Sequence, residues 1–350
     1  VIFRKYFATF AGSKSVLMSE NCSKKWYIIV NPHAGSGKTI SKWKKAEKCF
    51  REKGLDYVSV ETCGPGHAEE LAAAALDEGY RNLAAVGGDG TVHELFCGMM
   101  HWYESRPAGS VHLHDIAIAV IPIGSGNDWI KTHKVPRDID RVADLMKSSS
   151  FHLQDVVRVS RVETRDPQEA AVAPALRTDY MLNVAGVGFD SRICAIVNEQ
   201  KRLGKTGSSL YLKALLKVIA NFYSFPVEIW ADGKLFFSGD CFSIAFGTGQ
   251  YSGGGMRQVP DAVVDDLKLD MMVVPRLPIP LLLSKLRHLF TGRLSSVKEL
   301  LFAKCSSIVV LPAAQEQNPE VVEIDGETIG PVPVRLEVLP EQIRVLSCLG

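Results

Sequence analysis

The sequence predicts two domains: an α/β domain built on a parallel sheet, followed by an antiparallel β-sandwich domain. Three observations carry this. As far as residue 121, short apolar runs alternate with segments of helical period, which is the pattern of βαβ units with right-handed crossovers. Beyond about residue 152 the helical rhythm gives way to strands separated by turn residues, as in antiparallel sheets. The chain also has 350 residues, enough for two separate cores. The expected layout is an N-terminal extension over 1–24, an α/β domain over 25–152, and a β-sandwich over 153–330. The last strands, within 331–350, are expected to return to the first domain.

Each element has a local reason. Trp26 to Val30 is an apolar run that stops where Pro32 removes a backbone donor. Ser41 to Lys53 is a basic amphipathic helix closed by Gly54. Tyr57 to Glu61 reads as the second strand, and Ala68 to Glu78 as a helix ended by Gly79. Leu83 to Val86 is the third strand, Thr91 to Tyr103 the third helix, and Ile116 to Ile121 a strand buried on both faces. In the second half, Gln154–Arg161 and Asp179–Val184 are strands around a polar insert. Asp232-Gly233, between Val227–Trp230 and Leu235–Phe246, is the strongest hairpin signal. Further strands are expected at Leu267–Val274, Ser306–Leu311, Val321–Ile324, Val334–Val338 and Ile343–Leu346, with helical inserts near 190–223 and 278–303.

Composition narrows the function. Hydrophobic residues make up 46% and charged residues 23%, ordinary for a globular protein, and a net charge of +1 gives no field for nucleic acid. Eight cysteines are scattered without C-x-x-C spacing, which speaks against zinc or thioredoxin-like chemistry and for single thiols in a reducing cytoplasm. No stretch is long and apolar enough to span a bilayer. Residues 1–17 read as an upstream extension, with translation expected to start at Met18.

Three loops follow strands of the first domain. The first runs from Asn31 through Gly35-Ser36-Gly37-Lys38-Thr39. Its end mimics a P-loop, but Pro32 occupies the position of the first P-loop glycine and offers no N–H to a phosphate, so a different phosphate-facing loop is favoured over a plain Gly-rich turn. The second is Gly87-Gly88-Asp89-Gly90-Thr91, whose glycines allow close approach to a phosphate and whose helix adds its N-terminal dipole. Asp89 could hold Mg²⁺, and Thr91 also reads as a plain N-cap. The third, Gly124-Ser125-Gly126-Asn127-Asp128, lacks the third glycine of a dinucleotide fingerprint. All three fall on the C-terminal edge of the parallel sheet, where open α/β sheets bind ligands.

Together, Asn31-Pro32…Gly35, Gly87-Gly88-Asp89-Gly90-Thr91…Glu94 and Gly124 to Asp128 resemble the diacylglycerol kinase catalytic-domain family. That family takes in bacterial diacylglycerol and related lipid kinases, and sphingosine and ceramide kinases. The resemblance runs from about residue 25 to the end. It implies a nucleotide-binding α/β domain of NAD kinase and phosphofructokinase type, with ATP and Mg²⁺ as cofactors. It matches Asn31, Thr62, the segment Gly88 to Glu94 and Ser125 to nucleotide-binding positions; His93 stands where the family often has Asn. Asp325-Gly326-Glu327 would otherwise read as a surface turn. The resemblance makes Glu327 the general base for a lipid hydroxyl and gives Asp325 the part of orienting it or helping Mg²⁺. It also maps a structural Mg²⁺ onto Asp266 and the carbonyls of Val263 and Lys268; Leu267 replaces the family's Gly, and a solvated acidic turn is the alternative. The stretch from Asn183 to Asp190, Lys201, Arg202, Lys205 and the helix Ser208 to Phe222 fall where the family handles its lipid.

The implied activity is ATP-dependent phosphorylation of a membrane-lipid hydroxyl by a cytoplasmic enzyme that visits the membrane, with a homodimer admitted. The rivals are a small-molecule kinase of NAD kinase or phosphofructokinase type, a P-loop NTPase, and a non-catalytic nucleotide- or lipid-binding module. For the membrane contact, residues 276–293 offer Leu281, Leu282, Leu283, Leu286, Leu289 and Phe290 beside Arg276, Lys285, Arg287 and Arg293. A helix packed on the β domain is the alternative.

Overall fold

The computed structural model describes residues 24–34, 39–123, 127–203, 209–220, 224–313 and 319–349. The extension over 1–23, the segment 35–38 and Gly124, Ser125 and Gly126 lie outside them. The chain begins with β1 (Trp26–Val30), α1 (Thr39–Glu52), β2 (Tyr57–Glu61), α2 (His67–Asp77), β3 (Asn82–Val86), α3 (Asp89–Glu104) and β4 (Ala117–Ile121). β1, β3 and β4 are buried along their whole length, which is why they read as continuous apolar runs rather than alternating ones. α4 (Ile139–Ser148), unforeseen in the sequence, is capped by the Asp138 side chain and tied to α1 by Lys53 and Asp144 at 2.6 Å. α2 and α3 pack so tightly that a Cβ on Gly98 would lie 2.2 Å from the Glu69 carbonyl oxygen.

β5 (Phe151–Gln154) and β6 (Val157–Arg161) correct the expectation of one strand over 154–161. Asp155 and Val156 carry the chain from one sheet to the other. Asp155 fastens this step: its N–H donates to the Val264 carbonyl (2.6 Å), and its carboxylate accepts from Leu267 N (2.8 Å) and Gln342 Nε2 (2.7 Å). Among the described residues the first sheet runs β2-β1-β3-β4-β19-β5, where β19 is Ile343–Leu346. β19 lies parallel to β4 and antiparallel to β5. From β1 the chain steps out to β2 and then returns to β3 on the other side of β1, so the topological switch point falls between the C-terminal ends of β1 and β3.

The second sheet takes β6, β7 (Arg177–Met181), β8 (Val184–Gly188), β9 (Phe225–Ala231) and β10 (Lys234–Gly247). After a two-stranded ribbon of β11 (Tyr251–Ser252) and β12 (Met256–Arg257) come β13 (Leu269–Pro275), β14 (Leu301–Cys305) and β15 (Ser307–Pro312). β16 (Val321–Ile324), β17 (Glu327–Pro331) and β18 (Val334–Val338) complete it. Its pairings are antiparallel throughout the described residues, and the sheet is sandwich-like. Asp232 and Gly233 take φ of 47° and 76°, the paired left-handed conformations of a two-residue hairpin turn. Within 331–350, β18 stays in the second sheet between β15 and β6, and β19 crosses back to the first. The helical inserts are α5 (Phe189–Arg202), α6 (Ser209–Ala220) and α7 (Ile279–Thr291), which share an apolar core with β10 and β13.

Candidate functional site

The switch point gathers those predicted loop residues that the structure describes. Asn31 follows β1 and Thr62 follows β2; their N–H groups donate to Val86 O (2.9 Å) and Val30 O (2.8 Å). Gly88 caps α3, which begins at Asp89 rather than at Thr91. Thr91 is therefore not the N-cap: its buried hydroxyl accepts a hydrogen bond from Asn31 Nδ2 at 3.0 Å and locks the first loop to the second. Gly88 sits in extended backbone (φ −101°), a conformation open to any residue. A Cβ on Gly87 would lie 2.4 Å from Thr91 Oγ1. Glu94 accepts from Ala68 N at 3.3 Å and braces α3 on α2.

The third loop contributes Asn127, buried, with neither side-chain nitrogen nor oxygen partnered among the described residues. Orphaned buried amides ask for a ligand. Lys42, which sequence reasoning passed over, projects from the first turn of α1 and donates to the Ile123 carbonyl at 3.0 Å, just before that loop. Its only sequence signal is its place one turn into the helix after the first loop. An α-helix N-terminus, an ammonium group and an unsatisfied amide on one sheet edge fit a polyphosphate. Asp128 instead joins the domains, accepting from Lys131 Nζ (2.5 Å) and Gly254 N (2.6 Å).

The Asp325-Gly326-Glu327 turn, between β16 and β17, faces α3. A Cβ placed on Gly90 would be 3.4 Å from Glu327 Oε1, so residues 237 positions apart share one site. Glu327 is exposed, whereas Asp325 is built in. Its carboxylate accepts from the backbone N–H groups of Leu182 (2.9 Å), Asn183 (3.0 Å) and Val184 (3.1 Å), which pins the start of β8 under the turn. His93 Nδ1 lies 3.4 Å from the same carboxylate and connects α3 to it. Burial opposes a charge on His93, yet Cys97 and Asp325 beside it hold the imidazole well above the usual histidine range. Here the position that departs from the family's Asn makes a contact to Asp325.

Behind the turn, α5, α7 and β13 enclose a cavity of about 60 Å³, walled by Phe242, Met272, Leu282, Leu286 and Leu289 with Asp190 in its polar lining. Asp190 accepts from Ser243 Oγ (2.8 Å) and from Gln258 Nε2. Burial lifts its carboxyl to about 6, and burial together with the Asp190 carboxyl holds Glu323 well above the usual carboxylate range. The folded state thus keeps the Asp190 proton up to about pH 6 while the unfolded chain releases it near 4, so its contribution to stability is lost as pH rises through that window. We expect Asp190→Asn to remove a fall on the order of 2 kcal/mol between pH 4 and 7. It is read as the difference in melting temperature between wild type and variant across pH; a flat difference would contradict the assignment.

The segment that the resemblance assigns to a structural Mg²⁺ is already neutralised. Lys304 Nζ lies 2.6 Å from Asp266 Oδ2 and 3.3 Å from Asp270, and Lys268 N donates to Asp266 Oδ1 at 3.1 Å. Leu267 takes a left-handed backbone (φ 56°), the conformation that glycine favours, and both Leu267 and Val263 are exposed. With an ammonium group on the one carboxylate, Val263, Asp266 and Lys268 do not fit a resident divalent ion.

A glycine-lined crevice at the switch point of a mostly parallel sheet, faced by a carboxylate from a sandwich-like antiparallel sheet, defines an α/β plus β class of fold. Residues 25–159 match the diacylglycerol kinase catalytic domain, and residues 183–347 match the YegS C-terminal NAD kinase beta sandwich-like domain. The chain thus carries the catalytic domain of the diacylglycerol kinase family over residues 25–159, followed by the YegS-type C-terminal domain over 183–347. It is 25% identical over 324 residues, covering 92% of this chain and 95% of the relative, to a protein of Stenotrophomonas maltophilia named "Probable lipid kinase YegS-like". A protein of the same name from Yersinia enterocolitica is 25% identical over 86% of this chain and 90% of its own length. A crystal structure described as a diacylglycerol kinase from Bacillus anthracis shares the fold, with a TM-score of 0.65 and 20% identity over 93% of this chain and 97% of that one.

Proposed function

We propose that this chain transfers the γ-phosphoryl group of ATP to the hydroxyl of a membrane lipid carrying a free hydroxyl, such as diacylglycerol or a sphingoid base. The observation that carries the reading is the Glu327 carboxylate beside Gly90, at the mouth of the phosphate crevice. Glu327 takes the proton of the lipid hydroxyl as its oxygen bonds to the γ-phosphorus and the bond from that phosphorus to the β,γ-bridging oxygen breaks, leaving ADP. Bound as its magnesium complex, ATP supplies the phosphoryl group with its charge partly neutralised. Asp89 would hold that ion, and Lys42 and Asn127 would bind the phosphates. The apolar cavity next to the turn supports a lipid acceptor over a sugar or nucleotide. Labelled ATP offered with mixed micelles of diacylglycerol, monoacylglycerol or sphingosine should label the lipid. Transfer to NAD or a sugar phosphate instead would overturn the reading.

Among the described residues no helix is long and apolar enough to cross a membrane, so the acceptor must be met at the surface. α7 divides its apolar residues: Leu282 and Leu289 are buried, whereas Ile279, Leu283 and Phe290 are exposed on one stripe above the cavity. Lys285 is paired with Glu299 at 3.5 Å, so the stripe rather than that charge is the better candidate contact. Leu283→Glu with Phe290→Glu should weaken sedimentation with anionic vesicles by about tenfold and leave activity on a detergent-dispersed short-chain lipid intact. Undiminished sedimentation would exclude α7 as the contact.

A further inference from the structure

We propose that His112, His114 and Glu341 form a site for a divalent transition metal of the zinc class, at the seam where the last strand re-enters the first sheet. The three side chains each direct one donor atom into a volume where those atoms lie within 4.8 Å of one another. The two histidines flank Leu113, which is fully buried and anchors the turn before β4. They stack at 5.2 Å between centroids and 16° between planes. His112 Nδ1 is 3.4 Å from Glu341 Oε1. Bonds of about 2.0–2.1 Å at the tetrahedral angle put neighbouring zinc ligands about 3.3 Å apart, so this pair already stands at ligand spacing.

The carboxylate is held for the task. Glu341 Oε2 accepts from Leu113 N at 2.7 Å. One oxygen is thereby fixed by the protein and the other is turned toward the imidazoles, the kind of outer support that orients metal ligands. Asp115 stands behind His114, its Oδ1 3.8 Å from Nε2. The nearby cation, Arg344, is held on the Asp115 carbonyl at 2.6 Å and over the Phe151 ring. Two imidazoles and a carboxylate favour zinc, copper or nickel over magnesium. The site lies at the N-terminal end of β4, opposite the phosphate loops, so its metal takes no part in phosphoryl transfer. It would join the turn before β4 to the turn before β19, strands that pair through Arg344 and Ala117.

The test uses the full chain carrying Cys63→Ser, because exposed Cys63 lies 2.9 Å from His67 Nδ1 and offers zinc a competing thiol. Calorimetric titration with zinc chloride in a phosphate-free buffer should show one equivalent bound. His112→Ala or His114→Ala, both on exposed side chains and expected to fold, should each weaken binding at least about tenfold. Zinc should raise the melting temperature of the Cys63→Ser parent but not of the double histidine variant, and magnesium should raise neither through this site. Absence of zinc binding in the parent would overturn the proposal, as would equal zinc affinity and an equal thermal shift in the double histidine variant.

Discussion

Glu327→Gln is expected to leave the protein folded and to slow lipid phosphorylation about 10²–10⁴-fold. The side chain is exposed in its turn, so an isosteric amide should not move the melting temperature. The amide keeps the shape and loses the ability to take a proton, so the loss should appear in kcat while ATP affinity, set by the loops at the other wall of the crevice, is retained. Direct nucleotide binding by calorimetry separates the two. Near-normal turnover in a folded variant would show that another group takes the proton, with Asp89 the next candidate.

The second large effect is on the fold and concerns the other acid of the same turn. Asp325→Ala should destabilise the protein by about 3 kcal/mol or more, because three backbone N–H groups lose their acceptor at once and each orphaned donor costs about 1–3 kcal/mol. For a chain of this size that is a drop of about 4 °C or more in melting temperature. Asp325→Asn keeps an acceptor and should fall between wild type and alanine. An alanine variant that melts with the wild type would mean that the start of β8 is held by other contacts. Any loss of activity in Asp325→Ala is then read after stability is restored by lower temperature, since the residue supports the turn from beneath.

Where burial and local sequence agreed, the fold was legible. The core strands announced themselves as apolar runs because helices cover both faces of the sheet, and Asp232-Gly233 announced its hairpin because few residue pairs tolerate two positive φ values. What was hidden depends on partners far away in the chain. The strand expected over 154–161 is continuous in pattern, and it divides only because Asp155 finds Val264, Leu267 and Gln342. Thr91 looks like a cap until Asn31 claims its hydroxyl. In the candidate site the glycines and acids were visible as types, and the resemblance gave Asp325 and Glu327 different parts, but the backbone N–H groups of Leu182, Asn183 and Val184 that hold Asp325 were not legible. Leu267 takes a left-handed backbone without being glycine, and Lys304, 38 residues beyond Asp266, supplies the positive charge beside that carboxylate.

The position of β19 bears on how this protein comes into being. β5 has β19 as its partner in the first sheet, and β4 meets β19 on the side away from β3. Until residues 343–346 have left the ribosome, β4 presents an open edge and β5 has nothing to pair with, although both were translated long before. The nucleotide domain therefore cannot finish folding first and wait for its neighbour, as N-terminal domains commonly do. The whole sandwich must be made while that edge is exposed, and the closing contact joins residues more than two hundred positions apart, a slow step by its loop entropy. A fragment cut after the first domain would carry the phosphate loops on an unfinished sheet and would tend to associate through that edge.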